Sequence, residues 1–179
     1  MKPTLPILNI TELNLHTREY YHNLRNKYSP SDLKTVFVLE SPPVSGKYFY
    51  DLEGEVGEPL FRAMMQLLKV EPQTKAEGLD IFQNAGCIIV DATYTPVNDL
   101  KDSIRSQTIL NSYQALVEDL RKVCGNSKPD IILVKANICR LLEPKLASDG
   151  FKIKNQGAVV PFPSTGQQGN FASLMKKLY

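Results

Sequence analysis

Short, mostly apolar runs alternate along the chain with longer amphipathic ones. Thr35-Val36-Phe37-Val38-Leu39, Cys87-Ile88-Ile89-Val90 and Asp130-Ile131-Ile132-Leu133-Val134 are rich in β-branched and aromatic residues and bounded by polar turns. Such runs read as strands buried on both faces. A fourth run is centred on Ala158-Val159-Val160. Between the strands, apolar residues recur at helical spacing. Tyr20, Tyr21 and Leu24 mark a helix over about 17–27, and Leu60, Met64, Leu67 and Leu68 one over about 59–70. Further helices are predicted over about 75–84, 106–123 (closed by Gly125), 137–148 and 171–178. This order implies βαβ units joined by right-handed crossovers. The predicted fold class is α/β: a three-layer α/β/α arrangement around a central four-stranded parallel sheet. Residues 1–179 form one domain, with an N-terminal arm and helix in about the first 30 residues.

Composition narrows this picture only a little. A chain of 179 residues, 42% hydrophobic and 22% charged, is long enough to bury one sizeable core. The formal charge of +2 permits a polyanionic partner without demanding one. Cys87, Cys124 and Cys139 are widely spaced, so no metal, iron-sulfur site or disulfide framework is expected, and no cofactor. The N-terminus lacks the apolar core of a signal peptide and no apolar run reaches bilayer length, so the reading is cytoplasmic with no membrane partner. The oligomeric state leaves no mark in the sequence.

The candidate chemistry lies in the loops that follow the strands, where open α/β sheets bind their ligands. Leu39-Glu40-Ser41-Pro42-Pro43 follows the first strand, Asp91 to Asn98 follows the second, and Pro161-Phe162-Pro163-Ser164-Thr165-Gly166-Gln167-Gln168-Gly169-Asn170-Phe171 precedes the last helix. Glu40 and Asp91 are strand-end carboxylates able to orient a water or stabilise a developing cation. Acids at such positions also cap helix N-termini or pair with a lysine such as Lys135, and both readings stand. Tyr48-Phe49-Tyr50 offers either a stacking wall for a planar base or an anchor for its loop. Ser45-Gly46-Lys47 is no phosphate-binding P-loop, since Ser41 stands where the first glycine belongs and Tyr48 where a Ser or Thr does. His16 and His22 are the only histidines, and neither is near a strand-end loop in sequence, so no Ser-His-Asp or Cys-His apparatus is expected.

In their order along the chain these loops resemble those of the uracil-DNA glycosylase superfamily, over most of the span from Thr35 to Leu178. Its first motif takes forms such as GQDPY or GEAPG. Glu40 falls on the Gln or Glu position, and Ser41 where the best-known members place a water-activating Asp. Asp91 falls where a residue, often Asn, reads the flipped base, and Phe162-Pro163-Ser164 is similar to a late HPS motif. The resemblance implies a base-flipping hydrolase of N-glycosidic bonds in DNA, with a damaged or deaminated base as its target. Glu40 and Ser41 would be its catalytic residues, and Asp91, Tyr48, Phe49 and Phe162 would hold the base. Ser164, Thr165, Gln167, Gln168 and Asn170 would meet the DNA. Three departures bear on activity: Phe162 replaces the histidine that supports the leaving base, Ser41 replaces the Asp, and Asp91 replaces Asn. An ionised carboxylate only accepts hydrogen bonds, so Asp91 favours a donor-rich base edge over that of uracil. Two alternatives have other workings: a noncatalytic nucleic-acid-binding module of the same fold, and a small-molecule hydrolase that binds a nucleobase or nucleotide.

Overall fold

The computed structural model describes residues 16–179. Strand β1 (Thr35–Leu39) forms the middle of a parallel sheet, with β2 (Cys87–Asp91) on one side and β3 (Asp130–Leu133) on the other. Thr35 stands opposite Cys87 and Asp130, and Leu39 opposite Asp91, so the strands end level with one another. Every residue of β1 and β2 is buried, which accounts for the unbroken apolar runs: neither face meets water.

Seven helices are present among the described residues: α1 (Arg18–Asn26), α2 (Pro59–Leu67), α3 (Lys75–Asn84), α4 (Asp102–Asn111), α5 (Tyr113–Cys124), α6 (Ala136–Ser148) and α7 (Gln168–Leu178). Thr17 caps α1 and Thr74 caps α3, each accepting a backbone N–H in the first turn. Pro59 opens α2, where its missing N–H costs nothing. Gly125, at φ +52°, closes α5. Helices α2, α3 and α7 pack together, as do α4, α5 and α6. Helix α1 is fastened to α5, where Arg25 grips Asp119 through two bonds of 2.7 and 2.8 Å and Arg18 donates to the Ala115 carbonyl at 3.0 Å. No helix among the described residues is long and apolar enough to cross a membrane.

Among the described residues the sheet has three strands, not four. Beyond β3 the expected fourth strand is reduced to two isolated bridges, Ile131 with Ile153 and Val134 with Val160. Between these points the chain turns away, and the buried Asn155 side chain fills the gap. Its amide accepts from Leu133 N and donates to Leu133 O, both at 2.9 Å, as a strand backbone would. At the opposite edge, the Tyr50 hydroxyl accepts from Ile89 N at 2.8 Å. The single helix predicted over 106–123 is also two helices. They meet at Ser112, whose hydroxyl bonds both the Thr108 carbonyl and the Thr93 side chain. The predicted N-terminal arm lies outside the described residues.

Candidate functional site

The chain crosses from β2, at one margin of the sheet, past β1 to β3, at the other. In such sheets the carboxyl edge at this reversal of direction is where ligands bind. Glu40 follows β1 there, Asp91 ends β2, and Lys135 leads from β3 into α6.

Glu40 is buried, and its charge is met from several sides. Lys135 Nζ donates to one carboxylate oxygen and Asn137 Nδ2 to the other. Arg105 Nε stands 3.8 Å away. This embrace depends on an unusual backbone: Lys135 has φ +90°, a conformation that costs a residue with a side chain about 1–3 kcal/mol. The turn is held by Lys135 N donating to the Val160 carbonyl at 2.7 Å. It starts α6 where both Lys135 and Asn137 can reach back to β1. The lysine pairing foreseen for a strand-end acid is therefore present, and Glu40 is a fixed, charge-compensated carboxylate.

Asp91 is just as deeply buried, yet its Oδ2 has no hydrogen-bond partner among the described residues. Burial pushes its carboxyl up to about 7. Arg25 and the Tyr48 hydroxyl pull it back in part, and Asp119 adds to the rise. The Tyr48 hydroxyl is likewise buried without a partner, so these two oxygens stop short of an ordinary hydrogen bond with each other. Burial, reinforced by the charge of Asp91, raises the Tyr48 phenol well above its usual value, so it keeps its proton.

Both acids line one cavity of about 290 Å³, walled by Tyr48, Phe49, Phe61 and Phe162 and rimmed by Lys47 and Asn98. This is the small end of ligand sites, which run from about 300 to 1,000 Å³, and it suits a single ring system. Tyr48, Phe49 and Tyr50 also anchor their loop: all three are buried, and the Tyr48 carbonyl accepts from the buried Lys75, itself paired with Glu58 at 2.9 Å. The anchoring reading thus holds for all three, and Tyr48 and Phe49 also line the cavity. Asp91 also borders a second cavity of about 270 Å³, which His16, Arg18, Thr93 and Ser112 help to line.

Ser41 takes no part in the Glu40 cluster. Its hydroxyl accepts from Val97 N at 3.2 Å, and Asn98 Oδ1 accepts from Val44 N at 3.0 Å, so these contacts stitch the loop after β1 to the loop after β2. Arg105 braces the second loop by donating to the carbonyls of Val97, Asn98 and Leu100. Of the late loop, only Phe162 lines the cavity. Ser164, Thr165, Gln167, Gln168 and Asn170 form a separate turn ahead of and into α7, in which Thr165 and Gly166 have positive φ and Asn170 donates to Gln167 Oε1 at 2.9 Å. His22 sits half-buried against Asp119 on α1, where burial lowers its pKa against the pull of that carboxylate, and it does not line the cavity. Among the described residues, no three His, Cys, Asp or Glu side chains are grouped as a metal site requires.

Sequence reasoning missed Asn137, Arg105 and the wall supplied by α2. The strand-end rule that singled out Glu40 and Asp91, applied equally to the third strand, points to Lys135-Ala136-Asn137. No sequence signal marks Arg105. In comparison with known proteins, no family model matches the chain, and no curated protein or solved structure is significantly similar to it.

Proposed function

We propose that the protein is a uracil-DNA glycosylase-like α/β/α domain that takes a nucleobase into the cavity at the carboxyl edge of its sheet and hydrolyses the N-glycosidic bond of a damaged or deaminated base in DNA. The observation that carries this reading is the pairing of two buried carboxylates, at the ends of adjacent strands, in one aromatic-walled cavity of ring-system size. Tyr48, Phe49 and Phe162 would flank the base, and Asp91 would bond its edge. Glu40, held in one orientation by Lys135 and Asn137, keeps lone pairs for a water and places negative charge beside the sugar as it gains oxocarbenium character. The water oxygen bonds to the anomeric carbon, the C–N bond breaks with its electron pair on the base nitrogen, and the water's proton ends on the departing base. Flipping costs a few kcal/mol, which favours damaged or unpaired bases.

One observation favours a second reading, binding without catalysis. Lys135 already neutralises Glu40, and no histidine lines the cavity to support the leaving base. The two readings separate in a base-release assay on single- and double-stranded oligonucleotides carrying uracil, hypoxanthine, xanthine or alkylated bases. Catalysis predicts release that falls at least a hundredfold in Glu40→Gln while binding persists. Salt-dependent binding without release from any substrate would establish the second reading. If free nucleosides bind and DNA does not compete, the small-molecule alternative takes their place.

A further inference from the structure

Asp91 and Tyr48 leave an unusual debt in the fold. A buried polar atom without a partner costs about 1–3 kcal/mol, and native structures rarely keep one without a reason. Among the described residues, Asp91 Oδ2 and the Tyr48 hydroxyl are both unpartnered, and both side chains line the same cavity. Other polar groups around them are engaged: Glu40 with Lys135 and Asn137, Ser41 with Val97 N, Glu58 with Lys75. Asn137 Oδ1 and Arg25 Nε are also unpartnered among the described residues, but neither residue lines the cavity; of those that do, the unmet buried atoms are a carboxylate oxygen that accepts and a phenol that donates.

Resting on the nucleobase reading above, we infer that this pair selects a base edge with two adjacent N–H donors beside a carbonyl oxygen, the edge of a 2-amino-6-oxopurine. Asp91 accepts from the ring N1–H and the 2-amino group, and the Tyr48 O–H donates to O6. Uracil offers one N–H between two carbonyls and so sets a carbonyl oxygen against the carboxylate. Adenine offers an amino group beside a bare ring nitrogen. Hypoxanthine has N1–H and O6 but lacks the 2-amino group, so it makes two of the three bonds. A guanine oxidised at C8 or alkylated at N7 keeps the edge intact, so the selection is compatible with a lesion as well as with the ordinary base. A site built around polar groups that must be met discriminates more sharply than an apolar pocket, because the wrong ligand leaves them unpaired.

The test is equilibrium binding of guanosine, inosine, adenosine and uridine to the full chain, followed by calorimetry, with Asp91→Asn and Tyr48→Phe alongside. Guanosine is expected to bind at least tenfold more tightly than inosine, and adenosine and uridine more weakly still. Asp91→Asn should abolish the advantage of guanosine over inosine, whereas Tyr48→Phe should weaken both alike, since both carry O6. Thermal melting of each variant identifies one that has not folded, and the wild-type ranking stands without the variants. Equal binding of guanosine and inosine, or a guanosine preference that survives in folded Asp91→Asn, overturns the inference while leaving the nucleobase reading intact. Should none of the nucleosides bind, and no base-bearing oligonucleotide either, both fall together.

Discussion

Glu40 and Asp91 both stand at the carboxyl edge of neighbouring strands, Asp91 opposite Leu39 and Glu40 one residue further on, and both are buried. Their surroundings are opposite. Glu40 is met by Lys135, Asn137 and Arg105, while Asp91 Oδ2 makes no hydrogen bond among the described residues and its carboxyl is pushed up to about 7. Position at a strand end thus brings an acid to the site without deciding its task. The groups that face it decide whether it is a held charge or an open acceptor.

That contrast can be tested from its support outward. Arg25, buried and bound to Asp119, also pulls the Asp91 carboxyl down. Arg25→Leu strands Asp119 without its partner and should cost about 3–5 kcal/mol in urea unfolding. In whatever remains folded, the Asp91 titration, followed by carboxyl carbon NMR, should move above its present value of about 7. An unmoved titration would show that Arg25 does not reach Asp91. Glu40→Ala comes next. Lys135 is about one-third exposed (32%), so water takes over part of its solvation, and the expected loss is about 1–3 kcal/mol, read from the urea midpoint.

Asp91→Asn should have the opposite sign. The folded-state pKa of Asp91 lies above its ordinary value of 3.8, so its ionisation burdens only the folded protein. Below pH 3.8 the acid is protonated in both states and the burden is absent. It grows as pH rises and is fully present above about 7. The variant should therefore be more stable than the wild type by up to about 4 kcal/mol at pH 8, and the gain should fade as pH falls toward 3.8. A gain independent of pH would mean that Asp91 is not the titrating group.

Strands β1 and β2 were legible because burial on both faces leaves their central positions apolar, and a pattern with that cause can be read in reverse. The fourth strand was not. Val159 and Val160 have the right character, but a polar side chain, Asn155, supplies the pairing that a backbone segment would have made, and hydropathy carries no trace of it. The break at Ser112 was hidden for a similar reason, since Ser112 bonds Thr93, a residue remote in sequence. The site was legible at Glu40, Asp91, Tyr48, Phe49 and Phe162, which a strand-end loop or a neighbouring apolar segment delivers to the cavity. It was not legible at Arg105, which arrives by tertiary packing, nor at the positive φ of Lys135 that brings Asn137 into reach. The run from Ser164 to Asn170 shows the converse: a suggestive segment that follows Phe162 directly and still does not enter the cavity.

A sheet of only three parallel strands has two margins close to its centre, and a bare margin invites another chain to add itself as a strand. Here side chains help to close both: the Tyr50 hydroxyl on Ile89 at one side, and the Asn155 amide on Leu133 at the other. An extended segment from a second molecule would have to evict one of these before it could pair, so the residues that finish a small sheet also guard it against aggregation.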